Sequence, residues 1–144
     1  MQTKTRLLGL DVGGRRIGVA ISDSEGSLAT PYSAIQRRSL KEDIATILKV
    51  AQQEDVGCIV VGVPFSLDGS VGTQATIILA FYEALKTASL VLVDTCDERF
   101  STAEAEQRLR EAGIQPSRNK ARLDAASAAV ILQAYLNAHP RPAV

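Results

Sequence analysis

Tryptophan is absent from this 144-residue chain, and phenylalanine and tyrosine occur only three times each. So thin an aromatic set excludes an extensive stacking platform, and recognition of a large polymeric ligand must lean on shape and charge. The single histidine, His139, precedes Pro140 in a proline-containing tail, so histidine-based triads and histidine-rich zinc sites lack their raw material. It reads as a solvated terminal residue. Two cysteines show no pairing pattern, and Cys58 lies in the apolar run Cys58-Ile59-Val60-Val61, where a thiol serves as a small buried hydrophobe. No apolar stretch is long enough to span a bilayer, and no basic, apolar, small-residue leader follows Met1. These absences together predict a cytoplasmic protein without membrane contact. Charge of one sign is missing too: sixteen basic and sixteen acidic residues cancel, so any positive footprint for a polyanion must be local.

What the chain does have is ordinary for a folded domain, with 46% hydrophobic and 22% charged residues. Its length fits one domain, residues 1–144, able to bury a core without staples. Strand candidates run from Arg6 to Asp11 and from Ile17 to Ile21, joined by the glycine-containing turn Val12-Gly13-Gly14-Arg15-Arg16. Ala29 to Ile35 adds a third strand, which Pro31 confines to an edge or a strand start. Ser39-Leu40-Lys41-Glu42 is a capping box opening a helix that ends near Glu54. A strand from Cys58 to Val63, a loop from Pro64 to Gly72, a helix from Thr73 to Lys86 and a strand from Leu90 to Asp94 follow, an order that implies parallel pairing. Ser101-Thr102-Ala103-Glu104 is a second capping box, Gly113 can end its helix, and a last helix runs from Leu123 to Ala138. The sum is an α/β chain with a five-stranded mixed sheet flanked by helices. Its element order resembles that of the ribonuclease H-like fold, and also that of the actin-like ATPases.

Three carboxylates stand where apolar segments meet turns or helix starts. Asp11 closes the run Leu7-Leu8-Gly9-Leu10, where a charge is costly to bury unless a cation or hydrogen bonds compensate it. Glu98 follows Leu90-Val91-Leu92-Val93, with Asp97 left open as the alternative. Asp124, at the head of the last helix, shares a face with Ala128, Ile131 and Tyr135, the side expected on the sheet. The helix macrodipole alone would also favour an acid there. Closely packed carboxylates raise each other's pKa unless a cation sits between them. Mg2+ or Mn2+ suits such oxygen ligands and is commonly completed by substrate phosphate. Paired ions about 3.5 to 4 Å apart stabilise the attacking and leaving oxygens of an in-line displacement, so the chemistry predicted is phosphodiester hydrolysis.

Local positive charge lies close by. Gln115 to Leu123 holds Arg118, Lys120 and Arg122 without an acid, a candidate phosphate-binding run just before Asp124, and Arg15 and Arg16 follow Asp11 on the hairpin turn. Arg37, Arg38 and Lys41 read as a solvated helix entrance. Arg99 is expected to pair with a neighbouring acid, and Asp68-Gly69 to form a turn.

The motifs Leu8-Gly9-Leu10-Asp11-Val12-Gly13-Gly14-Arg15-Arg16-Ile17-Gly18-Val19-Ala20, Val61-Gly62-Val63-Pro64 with Leu67-Asp68-Gly69, Asp97-Glu98-Arg99-Phe100-Ser101-Thr102, and Asn119-Lys120 through Asp124-Ala125-Ala126 resemble the YqgF family over nearly the whole chain. Gly14, Val63, Ser66-Leu67 and Phe100 depart from the residues common there, and none of them removes an acid. The family is described as Holliday junction resolvases and as pre-16S rRNA nucleases with a ribonuclease H-like fold. The resemblance implies a divalent-metal site built from Asp11, Glu98 and Asp124. It further implies an endonuclease acting at the 5′ end of the 16S rRNA precursor, with ribosomal assembly intermediates as partners, or a resolvase of four-way DNA junctions. Trimming an RNA needs one active site and a monomer, whereas paired cuts in a junction need a homodimer. Precursor RNA is the expected substrate, because gripping four duplex arms asks more positive surface of a neutral domain. Two other classes stand beside these: a small actin-like nucleotide-binding protein, for which a second phosphate loop is lacking, and a nucleic-acid-binding module without cleavage.

Overall fold

Strand β1 (Arg6–Val12) is covered on both faces, and its alternation decides which residues meet which layer. Leu8, Leu10 and Val12 enter one core, while Leu7 enters a second core on the opposite side. The computed structural model describes residues 6–100, 103–114 and 120–139. The elements after β1 are β2 (Arg16–Ser22), β3 (Ala29–Gln36), α1 (Leu40–Gln53), β4 (Val56–Val63), α2 (Thr73–Ala88), β5 (Leu92–Asp97), α3 (Ala103–Glu111) and α4 (Lys120–Ala138). They build one mixed sheet in the order β3-β2-β1-β4-β5. The β1/β2 and β2/β3 pairs are antiparallel, whereas β1/β4 and β4/β5 are parallel.

Helices α1 and α2 cover one face, where Ile44, Ile47, Ile78, Phe81 and Leu85 join Ile17, Val19, Ile59 and Val61. Helix α4, with α3 packed against it, covers the other face, where Leu7, Ala20, Val60 and Cys96 line the core and Gly9, Gly18 and Gly62 carry no side chain. The missing side chains let α4 come close. A Cβ at Gly9 would lie 2.6 Å from the Cβ of Leu132, and one at Gly18 would lie 2.0 Å from the backbone oxygen of Asp124. Among the described residues no helix is long and apolar enough to cross a membrane.

Local signals account for most element ends. Ser39 Oγ accepts from the Glu42 backbone N–H at 3.1 Å and donates to Glu42 Oε1 at 3.3 Å, so the return arm of the capping box uses the hydroxyl. Gly113 has φ +82°, and the bonds from Gly113 N to Arg110 O and from Ile114 N to Leu109 O close α3 as a Schellman motif. Ser101 and Thr102, read as the opening of α3, lie outside the described residues. Pro31 is on edge strand β3, next to a register shift that leaves Tyr32 without an opposite residue on β2. Gly69, with φ +87°, forms the turn expected of Asp68-Gly69.

Three expectations need correction. Strand β5 begins at Leu92 rather than Leu90 and runs on to Asp97, because Ser89 Oγ accepts from Val91 N and donates to Val91 O, taking that residue out of the ladder. Helix α4 begins at Lys120, three residues before Leu123, which puts Asp124 in its second turn, beyond the reach of most of the macrodipole effect. His139 is exposed as expected, and it also stacks its ring on Tyr135 with centroids 4.1 Å apart. Arg37 is no solvated entrance residue: it pairs with buried Asp43 at 3.2 Å, donates to Gly13 O at 2.9 Å, and lies over Phe81. It braces the β1–β2 turn against both helices of that face. Arg38 and Lys41 are exposed as expected.

Gly18→Ala should destabilise the fold by about 3 kcal/mol, the upper range for overpacking, since the clash is with backbone rather than with a flexible side chain. The denaturation midpoint measures it. A midpoint equal to the wild type would mean that the first turns of α4 do not rest on β2.

Candidate active site

The site grows from one row of residues across the sheet. Asp11 on β1 lies opposite Gly18 on β2, and the parallel register of Leu10 with Val61 brings Gly62 on β4 to the same level. Neighbours in register share a face, so the Asp11 side chain projects toward α4 between two positions that carry no side chain. Each gap is overhung by another acid. Glu98, in the short 3-10 turn that follows β5, has its Cγ 3.3 Å from where a Cβ on Gly62 would be. Asp124 comes down over Gly18 from α4.

Burial and mutual repulsion shape the electrostatics. Burial first, and then the Asp124 charge, push the Asp11 carboxyl above its ordinary value. Burial first, then Asp11, then Asp97, raise Glu98 to about 7. Asp11 thus interacts with both of the other acids. Asp97 behaves differently: its carboxylate faces Arg99 in a two-pronged contact at 3.0 and 2.6 Å, which lowers its pKa. Arg99 also reaches Leu67 O and the ring of Phe65, fastening the end of β5 to the loop after β4. Asp124 has a cation of its own, with Arg16 Nε 2.5 Å from its Oδ2.

Of the residues predicted from sequence, Asp11 lies on the α4 face within electrostatic reach of Asp124 on one side and of Glu98 on the other. Arg16 joins them there, and Arg15 is exposed on the adjoining turn. Arg118 lies outside the described residues; Lys120 and Arg122 fall in the first turn of α4, and their side chains are outside the description too. What sequence reasoning missed is the part played by Gly18 and Gly62. A glycine inside a strand marks close approach by another backbone or a ligand, and that signal was present at both positions.

The donor set fits a hard divalent cation. All three acids offer oxygen, and the nearby Cys96 thiol is raised to about 11 by burial and by Glu98, Asp97 and Asp94, so it stays protonated and is a poor ligand. Asp11 and Glu98 carry raised pKa values of the kind a cation between them would relieve. Among the described residues no three such side chains stand together in ligating arrangement, and Asp124 Oδ2 is engaged by Arg16.

Comparison with known proteins gives a family and a fold. A family model described as RuvX, Holliday junction resolvase, matches residues 5–138. A protein of Synechococcus sp. (strain JA-2-3B'a(2-13)) named "Putative pre-16S rRNA nuclease" is 51% identical over 130 residues, covering 90% of this chain and 76% of its own. One of the same name from Anaeromyxobacter sp. (strain Fw109-5) is 45% identical over 132 residues, covering 92% and 96%. Among solved structures, T. thermophilus RuvC in complex with a Holliday junction substrate aligns with a TM-score of 0.63 at 14% identity, over 97% of this chain and 99% of that one. Fowlpox virus resolvase with Holliday junction DNA aligns with a TM-score of 0.57 at 11% identity, over 94% and 99%. At such identities these structures speak for the ribonuclease H-like arrangement of the sheet and helices alone.

The raised Glu98 carboxyl has a consequence for stability without divalent cations. Between the ordinary value of 4.5 and about 7 the folded chain keeps a proton that the unfolded chain has released, so stability falls as pH rises through that window. Glu98→Gln cannot ionise and should flatten this fall, leaving the variant more stable than the wild type at about pH 8. Urea midpoints in EDTA at both ends of the window test it. Parallel pH dependences for the two proteins would remove Glu98 from the neighbourhood of Asp11.

Proposed function

Because this chain belongs to the RuvX family of Holliday junction resolvases, we propose that it is a divalent-metal-dependent endonuclease, with Mg2+ or Mn2+ held by Asp11, Glu98 and Asp124. We propose further that its substrate is the precursor of 16S rRNA. The observation that supports the site is the row Gly62, Asp11, Gly18 with one acid above each glycine. Relatives at 51% and 45% identity named for pre-16S rRNA support the substrate. The balance of sixteen basic against sixteen acidic residues supports it as well, since a flexible RNA end asks for less positive surface than four duplex arms.

Hydrolysis breaks one phosphorus–oxygen bond, forms another to water, and passes through a phosphorane-like species rich in negative charge. A divalent cation held by Asp11, Glu98 and Asp124 would supply Lewis acidity at the phosphate oxygens and make a water more acidic. The chain's own residues do the rest. Asp11 is fixed by its strand, Glu98 by the turn after β5 and Asp124 by α4, so three rigid elements orient the oxygen donors. Arg15 and Arg16 on the hairpin, and Arg118, Lys120 and Arg122 before Asp124, bind the phosphate backbone without reading bases.

Asp11→Asn, Glu98→Gln and Asp124→Asn should each cut metal-dependent cleavage by at least about 100-fold, roughly 3 kcal/mol of barrier, with circular dichroism unchanged. Asp97→Asn should stay within a few-fold of the wild type, because its carboxylate is committed to Arg99. Wild-type turnover by Asp11→Asn would refute the site.

Substrate choice is tested by offering single-stranded precursor rRNA and a synthetic four-way DNA junction to the same preparation at physiological salt. RNA should be cut faster. Symmetric paired nicks in the junction, faster than RNA cleavage and made by a dimer, would transfer the assignment to junction resolution.

A further inference from the structure

Arg16 sits among the acids in a way the reaction does not by itself require. It is the first residue of β2, its side chain lies on the α4 face with Asp11, and its Nε meets Asp124 Oδ2 at 2.5 Å with the two side chains only 28% and 32% exposed. The contact joins residues 108 apart in sequence, so it is a feature of the tertiary fold and not of the hairpin. It is also one-pronged: among the described residues the terminal nitrogens of this guanidinium make no hydrogen bond, which leaves most of its five N–H donors for other acceptors. Among the described residues no ion pair of this kind is found for Asp11 or Glu98.

We infer that Arg16 is a charge-balancing switch: its guanidinium holds Asp124 in the cation-free protein, yields that carboxylate when a divalent cation enters, and then turns to a phosphate of the nucleic acid. The inference rests on the proposed metal site and adds a coupling to it. A guanidinium on Asp124 Oδ2 and a divalent cation on the same carboxylate repel each other, so ion and guanidinium weaken each other's hold on Asp124 even though its second oxygen is open to the ion. A phosphate on the hairpin side offers the displaced guanidinium a bidentate acceptor, the geometry in which arginine is strongest. Cation binding and substrate binding therefore favour each other through Arg16, and by linkage the effect is reciprocal.

The test uses Mn2+ alone as the probe, in calorimetric titrations of the folded wild-type chain, Arg16→Met and Arg15→Met. Arg16→Met should bind Mn2+ about fivefold more tightly than the wild type, the size expected for a partly exposed ion pair. Arg15→Met, which removes an exposed cation from the same turn without touching Asp124, should change affinity less than twofold. Should Arg16→Met fold poorly, the Arg16 Nε–H resonance in the wild type gives a second reading, and it should shift as Mn2+ or its diamagnetic counterpart Mg2+ is added. Equal affinities for wild type and Arg16→Met, or an equal gain from Arg15→Met, would overturn the switch while leaving the metal site standing. Absence of saturable Mn2+ binding in every protein would overturn the metal site itself, and the switch with it.

Discussion

Everything at this site depends on how closely α4 lies on the sheet. The helix crosses strands β1, β2 and β4 at positions where glycine replaces a side chain, and the backbone oxygen of Asp124 occupies the place a Gly18 Cβ would need. A methyl group there would lift the first turns of the helix, and the lift would move the Asp124 carboxylate off Asp11 while opening the contacts of Ala128 and Leu132 with the strands. One packing contact therefore sets both a core and a set of charges. The electrostatic strain it creates, three acids in a half-buried row, is carried by the apolar layers on both faces of the sheet.

Charge compensation divides four neighbouring acids into two kinds. Asp97 is matched by Arg99 and Asp124 by Arg16, whereas Asp11 and Glu98 repel each other, and among the described residues no cation is paired with either. The phase of β5 produces the division. Val93 points to the α1/α2 core and Cys96 to the α4 side, so the strand ends with Asp97 turned away and Glu98 carried back over Gly62. Two adjacent acids of similar chemistry thereby receive opposite shifts in pKa from their surroundings.

Much of the fold could be read from local signals because those signals are local in cause. The Ser39 box, the left-handed Gly113, the edge position of Pro31 and the hairpin between β1 and β2 each follow from a few consecutive residues. The start of β5 could not, since Leu90 and Val91 look like strand and are removed from it by the Ser89 hydroxyl. Nor could the start of α4, where Lys120, Ala121 and Arg122 are good helix formers that a basic-loop reading passes over. Arg37 and Asp43 escaped because their meaning lies in Gly13 and Phe81, which only the tertiary fold brings to them. Among the acids, position along the chain was legible, but the opposite surroundings of Asp97 and Glu98 depend on the strand's phase.

The bulge at Tyr32 beside Pro31 bears on how copies of this protein can associate. Strand β3 is an open edge of the sheet, and an open edge invites another strand to add to it. Pro31 offers no N–H to such a strand, and the unpaired Tyr32 breaks the even spacing of donors and acceptors that an incoming ladder would need. Both features disfavour self-assembly through continuous sheet on that side, the route by which edge strands seed aggregates.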